Sequence, residues 1–417
     1  MAKRELASLP ELPREETGIH KFEELSDADL EILPDDEVEL TEADLEEVPK
    51  NGTVRQAELR MVESREKEND LKYGMASEAS VEHPDRNEDA AFYSAKRGLQ
   101  FVADGMGGVP AGDFASAKAA EQLTREGLSK ASAETQAAML ADREEILDQK
   151  TIETAISDVI GQMDKEIVNN NQSNDLVRAK ALEYFEKEVG TYDESDARHK
   201  AMYEGLLKSI GATVSMSKIW RGADGKDHLT LGNVGDSRTY RLRKGHLEKL
   251  SKDSSHVQIL IDEGLLKDDE DVNTKIDKQA IMALEKKHPE IKSLIPSLVR
   301  TEGPTVTLDS IRNRITMAAG VGDMMKKQYG IDFKPFVKTY DLEDGDVILT
   351  MSDGVIDNLT DSEIQAITIL HSDSPLEIAK NLQQAATERS IKGKAINARA
   401  KKDDVTALVT LYTKNGK

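Results

Sequence analysis

The alternation of apolar and polar residues divides the chain into a polar beginning and a patterned remainder. From about residue 70, short apolar runs bounded by turn-forming residues predict β-strands. The Asp224-Gly225 pair predicts a hairpin turn between two of these strands. The runs cover residues 73–76, 91–94, 99–102, 212–220, 228–232, 239–242, 347–351 and 405–412.

Segments with helical periodicity separate these strands. One helix-like region runs, with interruptions, from residue 112 to about residue 207, and two shorter ones cover 361–370 and 375–388. Residues 251–338 have a mixed pattern without a firm assignment. Because the elements do not follow a regular βαβ alternation, the pattern predicts the α+β class, with antiparallel strands and helices in layers.

The first 65 residues lack this pattern. Residues 1–50 hold 17 acidic and 5 basic side chains, which is about half of the net charge of −23 of the whole chain. A segment so rich in charge and poor in apolar residues contributes no core. We interpret residues 1–65 as an acidic N-terminal extension that is either disordered or forms short helices that dock on a partner.

The amino-acid composition mainly excludes certain kinds of partner and site. The chain has 417 residues, 56 basic and 79 acidic side chains, and no cysteine. An acidic surface does not attract nucleic acid or an anionic membrane, and the lack of thiols excludes cysteine nucleophiles, disulfides and thiolate metal sites. No apolar run approaches the roughly 20 residues that span a bilayer. We therefore expect a cytoplasmic protein that binds neither nucleic acid nor membrane.

Carboxylates recur at the edges of the predicted strands, and several stand next to glycine. They are Glu88, Asp89, Asp104, Asp236, Asp353, Asp403 and Asp404. If they converge, each pair of like charges at about 4 Å costs about 4 kcal/mol at an effective dielectric near 20. No basic cluster lies nearby in the sequence to offset this repulsion, whereas a pair of divalent cations would. Ligands that are all oxygen favour Mg²⁺ or Mn²⁺ over zinc, and two such ions promote displacement at phosphorus. The pattern therefore predicts phosphoester hydrolysis.

Five short motifs contain these carboxylates. They are Arg86-Asn87-Glu88-Asp89, Asp104-Gly105-Met106-Gly107-Gly108, Gly232-Asn233-Val234-Gly235-Asp236-Ser237-Arg238, Ser352-Asp353-Gly354 and Asp403-Asp404-Val405-Thr406. In this order they resemble the motifs of the metal-dependent protein phosphatases (the PPM family, type 2C) of the bacterial type. The resemblance covers residues 70–413 and implies a β-sandwich of two antiparallel sheets flanked by helices. It also implies hydrolysis of phosphoserine or phosphothreonine in proteins.

The resemblance also implies roles for single residues. Asp104 would bridge two Mg²⁺ or Mn²⁺ ions, with the Gly105 carbonyl as a further ligand of one, and Asp353 and Asp403 would complete the other. Two more acids, Glu88 and Asp89, would hold waters on the metals, and Asp236 would help to form a third, weaker position. The residues expected to be catalytic are Asp104, Asp353, Asp403 and Arg86.

Two departures from the family pattern leave a second hypothesis open. Many relatives have histidine in place of Met106, and a thioether cannot donate a proton. The phosphate-binding arginine usually lies four residues before Glu88, where this chain has Pro84, so Arg86 either replaces it or forms a structural ion pair. The alternative to an active enzyme is a metal-binding pseudophosphatase that acts as a regulatory adaptor.

Two segments exceed what a compact relative needs. Residues of about 131–200 predict a helical insertion, either a docking or dimer surface or a plain embellishment. Residues of about 251–338 begin like the family's mobile flap.

Overall fold

A computed structural model describes residues 60–63, 71–108 and 110–414. The predicted acidic extension lies outside these ranges, except for the four residues of the first strand. In chain order, the strands of the described part are β1 (Arg60–Glu63), β2 (Leu71–Glu78), β3 (Asp89–Ser94), β4 (Leu99–Asp104), β5 (Ile146–Leu147), β6 (Val214–Gly222), β7 (Asp227–Val234), β8 (Arg238–Arg243), β9 (His246–Lys249), β10 (Lys275–Asp277), β11 (Thr305–Thr307), β12 (Phe336–Asp341), β13 (Val347–Met351) and β14 (Val405–Tyr412).

Helices separate these strands, and most begin at a residue that caps the free backbone N–H groups. Thr360 and Glu363 form a reciprocal capping box, and Asp148 and Ser374 cap two long helices. The described helices are α1 (Gly112–Glu121), α2 (Arg125–Leu128), α3 (Ala133–Leu140), α4 (Gln149–Ser173), α5 (Asp175–Glu188), α6 (Ala197–Ser209), α7 (His256–Asp262), α8 (Lys278–Ala283), α9 (Ile295–Arg300), α10 (Gly322–Tyr329), α11 (Asp353–Ile356), α12 (Asp361–Leu370) and α13 (Pro375–Lys392).

Two antiparallel sheets form the centre of the fold. The first has the strand order β1-β2-β14-β13-β8-β9, and the second has the order β12-β7-β6-β4-β3, with the short β5 parallel to β6. The last strand, β14, pairs with β2 on one side and β13 on the other. The strands and helices predicted from the sequence are present, and the α+β class and two-sheet architecture are confirmed.

Alternation along the strands gives each sheet two buried faces. In β14, Leu408 and Tyr412 face the space between the sheets, whereas Ala407 and Val409 face the helices. Polar side chains also join the two sheets. Gln100 of β4 accepts a hydrogen bond of 2.7 Å from the Thr410 hydroxyl. The sheets therefore pack through a mixed interface with α12 and α13 outside one sheet.

Helix α4 covers the outer face of the second sheet. Its apolar residues recur at helical spacing, and Ile152, Ile156, Ile160 and Ile167 are fully buried against strands and α1. Gly232 of β7 has no side chain where Ile156 and Ile160 approach. The region predicted as an insertion, about 131–200, thus contains a helix that belongs to the sandwich. The helices α5 and α6 add to its outer side.

The predicted flap-like segment consists of two parts that pack differently. Its first part, from α7 to β11, has its own small core that includes Leu260, Ile281 and Leu298. Its last part contains β12, which pairs with β7 along the edge of the second sheet. The predicted boundary at about residue 338 lies within β12, which is paired with the sandwich.

Across the described ranges, none of the helices is long and apolar enough to cross a membrane.

Candidate metal centre

The pairing of β3 with β4 brings the first group of acids together. Asp89 and Asp104 are direct partners across this antiparallel ladder. The next residue, Gly105, donates its backbone N–H to the Glu88 carbonyl at 2.9 Å. Thr213 holds Asp104 from the other side, because its hydroxyl accepts the Asp104 N–H at 3.1 Å and its own N–H donates to the Asp104 carbonyl at 2.8 Å. The register of one hairpin therefore fixes three carboxylate-bearing residues.

The other sheet supplies the second group. The Ser352 hydroxyl, at the end of β13, donates to Asp89 Oδ2 at 2.8 Å. This contact places Asp353, the next residue, beside the first group. Asp403 lies two residues before β14, and Thr406 of this strand donates its backbone N–H to the Ser352 hydroxyl at 3.1 Å. Acids from the two sheets thus meet at one end of the sandwich.

Asp404 has a structural part in this assembly. Its buried carboxylate accepts the backbone N–H groups of Ser80 and Glu88, each at 2.6 Å. The carbonyl of Asp404 would lie 1.9 Å from a Cβ at position 354, so Gly354 is required for the contact between α11 and β14. Asp404, Glu88 and His83 also have potential ligand atoms within 4.8 Å of one another. Because both oxygens of Asp404 are used by backbone donors, we assign it to positioning the Glu88 loop.

Burial and mutual repulsion raise the pKa values of the gathered acids. Burial, then the nearby Asp353 and Asp89, raises the pKa of Asp104 well above its ordinary value. The pKa of Asp89 and of Asp236 is raised well above the ordinary value in the same way. Such groups keep the charged form only if a cation offsets their repulsion.

Two further acids show the same effect with a smaller shift. Burial raises the pKa of Glu88 to about 7, although Arg86 and His83 lower it. Burial likewise raises the pKa of Asp353 to about 6, against the opposing charge of Lys401.

Lys401 is the site residue that the sequence reasoning missed. Its ammonium contacts the carboxylates of Asp353, Asp357 and Asp403. The expectation that no basic cluster lies near the acids in the sequence overlooked this lysine, which offsets part of their charge. The available signal was the Lys401-Lys402 pair immediately before Asp403.

The remaining predicted residues lie around this group. Arg86 Nη2 is 2.8 Å from Glu88 Oε1, and 41% of the Arg86 side chain is exposed. Asp236 lies in the loop between β7 and β8, and its pKa responds to Asp353. Met106 packs against the core on the helix side of the second sheet. All of the predicted acids therefore lie in one region. Met106 packs against the core and adds no polar group to them.

The donor set fits hard divalent cations. Asp89 Oδ1 and Asp353 Oδ1 are buried and have no hydrogen-bond partner within the described residues. Free carboxylate oxygens, together with a nearby backbone carbonyl at Gly105, are the ligands that Mg²⁺ and Mn²⁺ prefer.

Comparison with solved structures decides the fold. The Stp1 serine/threonine phosphatase of Staphylococcus aureus is similar to this chain, with 20% identity and a TM-score of 0.50, over 82% of this chain and 95% of that one. The chain has the PPM phosphatase fold. The predicted resemblance to the PPM family is confirmed.

Two further solved structures match a similar share of this chain. The serine/threonine phosphatase PstP/Ppp of Mycobacterium tuberculosis gives 22% identity and a TM-score of 0.45, over 82% of this chain and 99% of that one. Another structure, the catalytic domain of PstP in complex with two manganese ions, gives 22% identity and a TM-score of 0.43 over the same shares. Residues 316–412 match the family model described as Stage II sporulation protein E (SpoIIE). A search of curated proteins gave no significant match.

Within this PPM fold, the SpoIIE match includes β13, α11 and β14. It therefore covers Asp353, Lys401 and Asp403, but not the acids of the β3–β4 hairpin.

Proposed function

We propose that this protein is a metal-dependent phosphatase that hydrolyses phosphoserine or phosphothreonine in phosphorylated proteins. The observation that carries the proposal is the meeting of Asp89 and Asp104 from one sheet with Asp353 and Asp403 from the other. They meet at one end of a sandwich with the PPM fold. Acids whose pKa values are raised by burial, and further by neighbouring carboxylates, would form a site for divalent cations.

The proposed cofactors are two Mg²⁺ or Mn²⁺ ions, with a third, weaker position. Bound there, the ions would supply Lewis acidity toward water and the phosphoryl oxygens. Asp104 would contribute to both main positions, and Asp353 and Asp403 to one of them. The residues proposed to hold the ions or their waters are Glu88, Asp89, Asp104, Gly105, Asp236, Asp353 and Asp403.

The protein groups of this site are held in place by their neighbours. Ser352 orients the Asp89 carboxylate, Thr213 holds the backbone of Asp104, and Asp404 fixes the loop that carries Glu88. Such support holds ligands in a productive geometry before the cofactor and substrate bind.

Substrate binding is proposed to use Arg86. Its guanidinium binds Glu88 through Nη2, and the exposed part of the side chain leaves other N–H groups for a phosphate oxygen. Met106 packs into the core and has no proton to give. The proton for the leaving group would come from water or from an acid outside this set.

The test is phosphate release from a phosphopeptide in the presence of Mn²⁺. Asp104→Asn or Asp353→Asn should lower turnover by at least about a hundredfold, because even residues that only support metal ligands often cost 10- to 100-fold. Asp344→Asn is the matched control, since Asp344 is exposed in the turn before β13 and its carboxylate accepts the Lys414 N–H. Turnover that persists in a chelator, or in both site variants, would refute the proposal.

One observation favours the alternative, a metal-binding pseudophosphatase that serves as an adaptor. Lys401 already neutralises part of the charge of Asp353 and Asp403. Partner binding without phosphate release would support this function, and hydrolysis at ordinary enzymatic rates would remove it. The cytoplasmic location and the docking role of the acidic extension stay predictions.

A further inference from the structure

Lys401 occupies the centre of three carboxylates. Its Nζ lies 2.8 Å from Asp403 Oδ2 and 3.0 Å from Asp357 Oδ2, and it contacts Asp353 Oδ2. Only 14% of the lysine side chain is exposed. Two of these acids, Asp353 and Asp403, are the ones that the proposed function assigns to a divalent ion. The Lys401 ammonium therefore lies among the carboxylates that the proposed function assigns to that ion.

The backbone of Lys401 is fixed by Asn358, which is fully buried. The Asn358 side chain donates to the Lys401 carbonyl at 2.9 Å, and its oxygen accepts the Lys401 N–H at 3.0 Å. The same amide donates to the Gly354 carbonyl at 2.8 Å. Asn358 thus joins Lys401 to α11, the helix that begins at Asp353. The position of this lysine is set by the fold and not by a chance surface contact.

The charge of the lysine opposes a divalent ion at the same carboxylates. An ammonium is a compact point charge that satisfies carboxylate oxygens in much the same way as a metal ion, but with one positive charge. The Lys401 ammonium and a divalent ion cannot both lie between Asp353 and Asp403, because the two cations would repel each other at contact distance. Either the lysine side chain moves out when the ion binds, or the ion does not bind there.

We propose that Lys401 is a built-in counter-ion that competes with the divalent ion for Asp353 and Asp403, so that metal loading of this site requires the lysine to be displaced. The inference rests on the proposed function, since it concerns the regulation of the same site. It makes Lys401 the residue that sets the metal affinity of this chain. The exposed Lys402 has no such part, because its Nζ binds Glu82 at 3.2 Å and half of its side chain is exposed.

The first test is a calorimetric titration of the full, metal-stripped chain with Mn²⁺. Lys401→Met should bind Mn²⁺ at least about tenfold more tightly than the wild type, or take up one more ion, because removal of an adjacent positive charge favours a cation. Lys401→Arg, which keeps the charge, and Lys402→Met, the matched control, should bind as the wild type does. Equal affinity and stoichiometry in Lys401→Met and Lys402→Met would overturn the inference while leaving the metal centre intact.

The outcomes separate this inference from the proposed function. Binding of Mn²⁺ by Lys401→Met but not by the wild type would support the inference and favour the pseudophosphatase. No binding by either folded protein would overturn both the inference and the proposed metal centre. Thermal unfolding of each variant shows whether it is folded.

A second test uses the wild type alone and needs no variant. An amine-reactive reagent followed by mass spectrometry measures the accessibility of each lysine. Lys401 should be protected without metal and become reactive as Mn²⁺ displaces it, while labelling of Lys402 stays constant. Unchanged or lower labelling of Lys401 at saturating Mn²⁺ would contradict displacement.

Discussion

In the metal-free protein, the free energy of unfolding should decrease as the pH rises. The pKa of Glu88 allows the size of this decrease to be worked out. Its side chain is only 6% exposed, and burial raises its pKa from 4.5 to about 7, with Arg86 and His83 acting in the opposite sense. The folded state therefore binds the proton more tightly than the unfolded state. Between pH 4.5 and about 7, unfolding releases protons, so the free energy of unfolding decreases with rising pH.

The shift sets the magnitude. A rise from 4.5 to about 7 corresponds to a contribution of about 3 kcal/mol, at about 1.4 kcal/mol for each pKa unit. This contribution is fully present below pH 4.5 and is lost above about pH 7. Asp353 acts in the same sense, because burial raises its pKa from 3.8 to about 6. Bound Mn²⁺ should reverse the trend, since metal binding is favoured by the deprotonated ligands.

The assay is urea unfolding of the chelator-treated protein at several values from about pH 5 to about pH 8. Glu88→Gln removes the titrating group and should reduce the loss of stability over this range by up to about 3 kcal/mol. Glu82→Gln is the control, because Glu82 is exposed and lies in the same loop. The reasoning fails if the metal-free wild type is equally stable at both ends of the range, or if Glu88→Gln loses as much stability as the control.

Two further predictions concern single positions. Arg86→Ala should raise the KM for a phosphopeptide by about tenfold with little change in kcat, because it removes charge-assisted contacts to phosphate; an unchanged KM in steady-state assays would limit Arg86 to its ion pair with Glu88. Gly354→Ala should lower stability by about 1–3 kcal/mol and weaken Mn²⁺ binding, since the new Cβ would meet the Asp404 carbonyl at 1.9 Å. In the same thermal unfolding and titration experiments, Gly161→Ala in α4 should be neutral or stabilising by up to about 1 kcal/mol, because a Cβ there meets nothing within 4 Å.

Much of the sandwich could be predicted because its strands are buried and their apolar residues are continuous or alternate. The run at 347–351 is the observed β13, and the run at 405–412 is β14. Strand β12 was not predicted, since this edge strand is only partly buried and its residues alternate weakly. The division of the helical region was also missed. The burial of one side of α4 depends on the sheet it meets, and no local pattern specifies that partner.

The candidate site shows the same division between local and tertiary information. Acids at strand ends could be recognised one by one, and antiparallel pairing explains why Asp89 and Asp104 lie opposite each other. Lys401 could not be assigned in this way. Its place among Asp353 and Asp403 depends on Asn358, whose amide binds it across 43 positions of the chain. A lysine next to Asp403 looks the same in sequence whether it faces solvent, as Lys402 does, or the site.

The position of β14 between β2 and β13 has a consequence for how the protein comes into being on the ribosome. The last strand of the described chain joins the two halves of the first sheet, and the residue just before it, Asp404, ties down the loop of Glu88 more than three hundred positions earlier. A nascent chain therefore cannot bring Asp403 and Asp404 to the acids of the β3–β4 hairpin until β14 has left the exit tunnel. Products that terminate before β14 lack the centre of that sheet and the two acids, Asp403 and Asp404, that directly precede it.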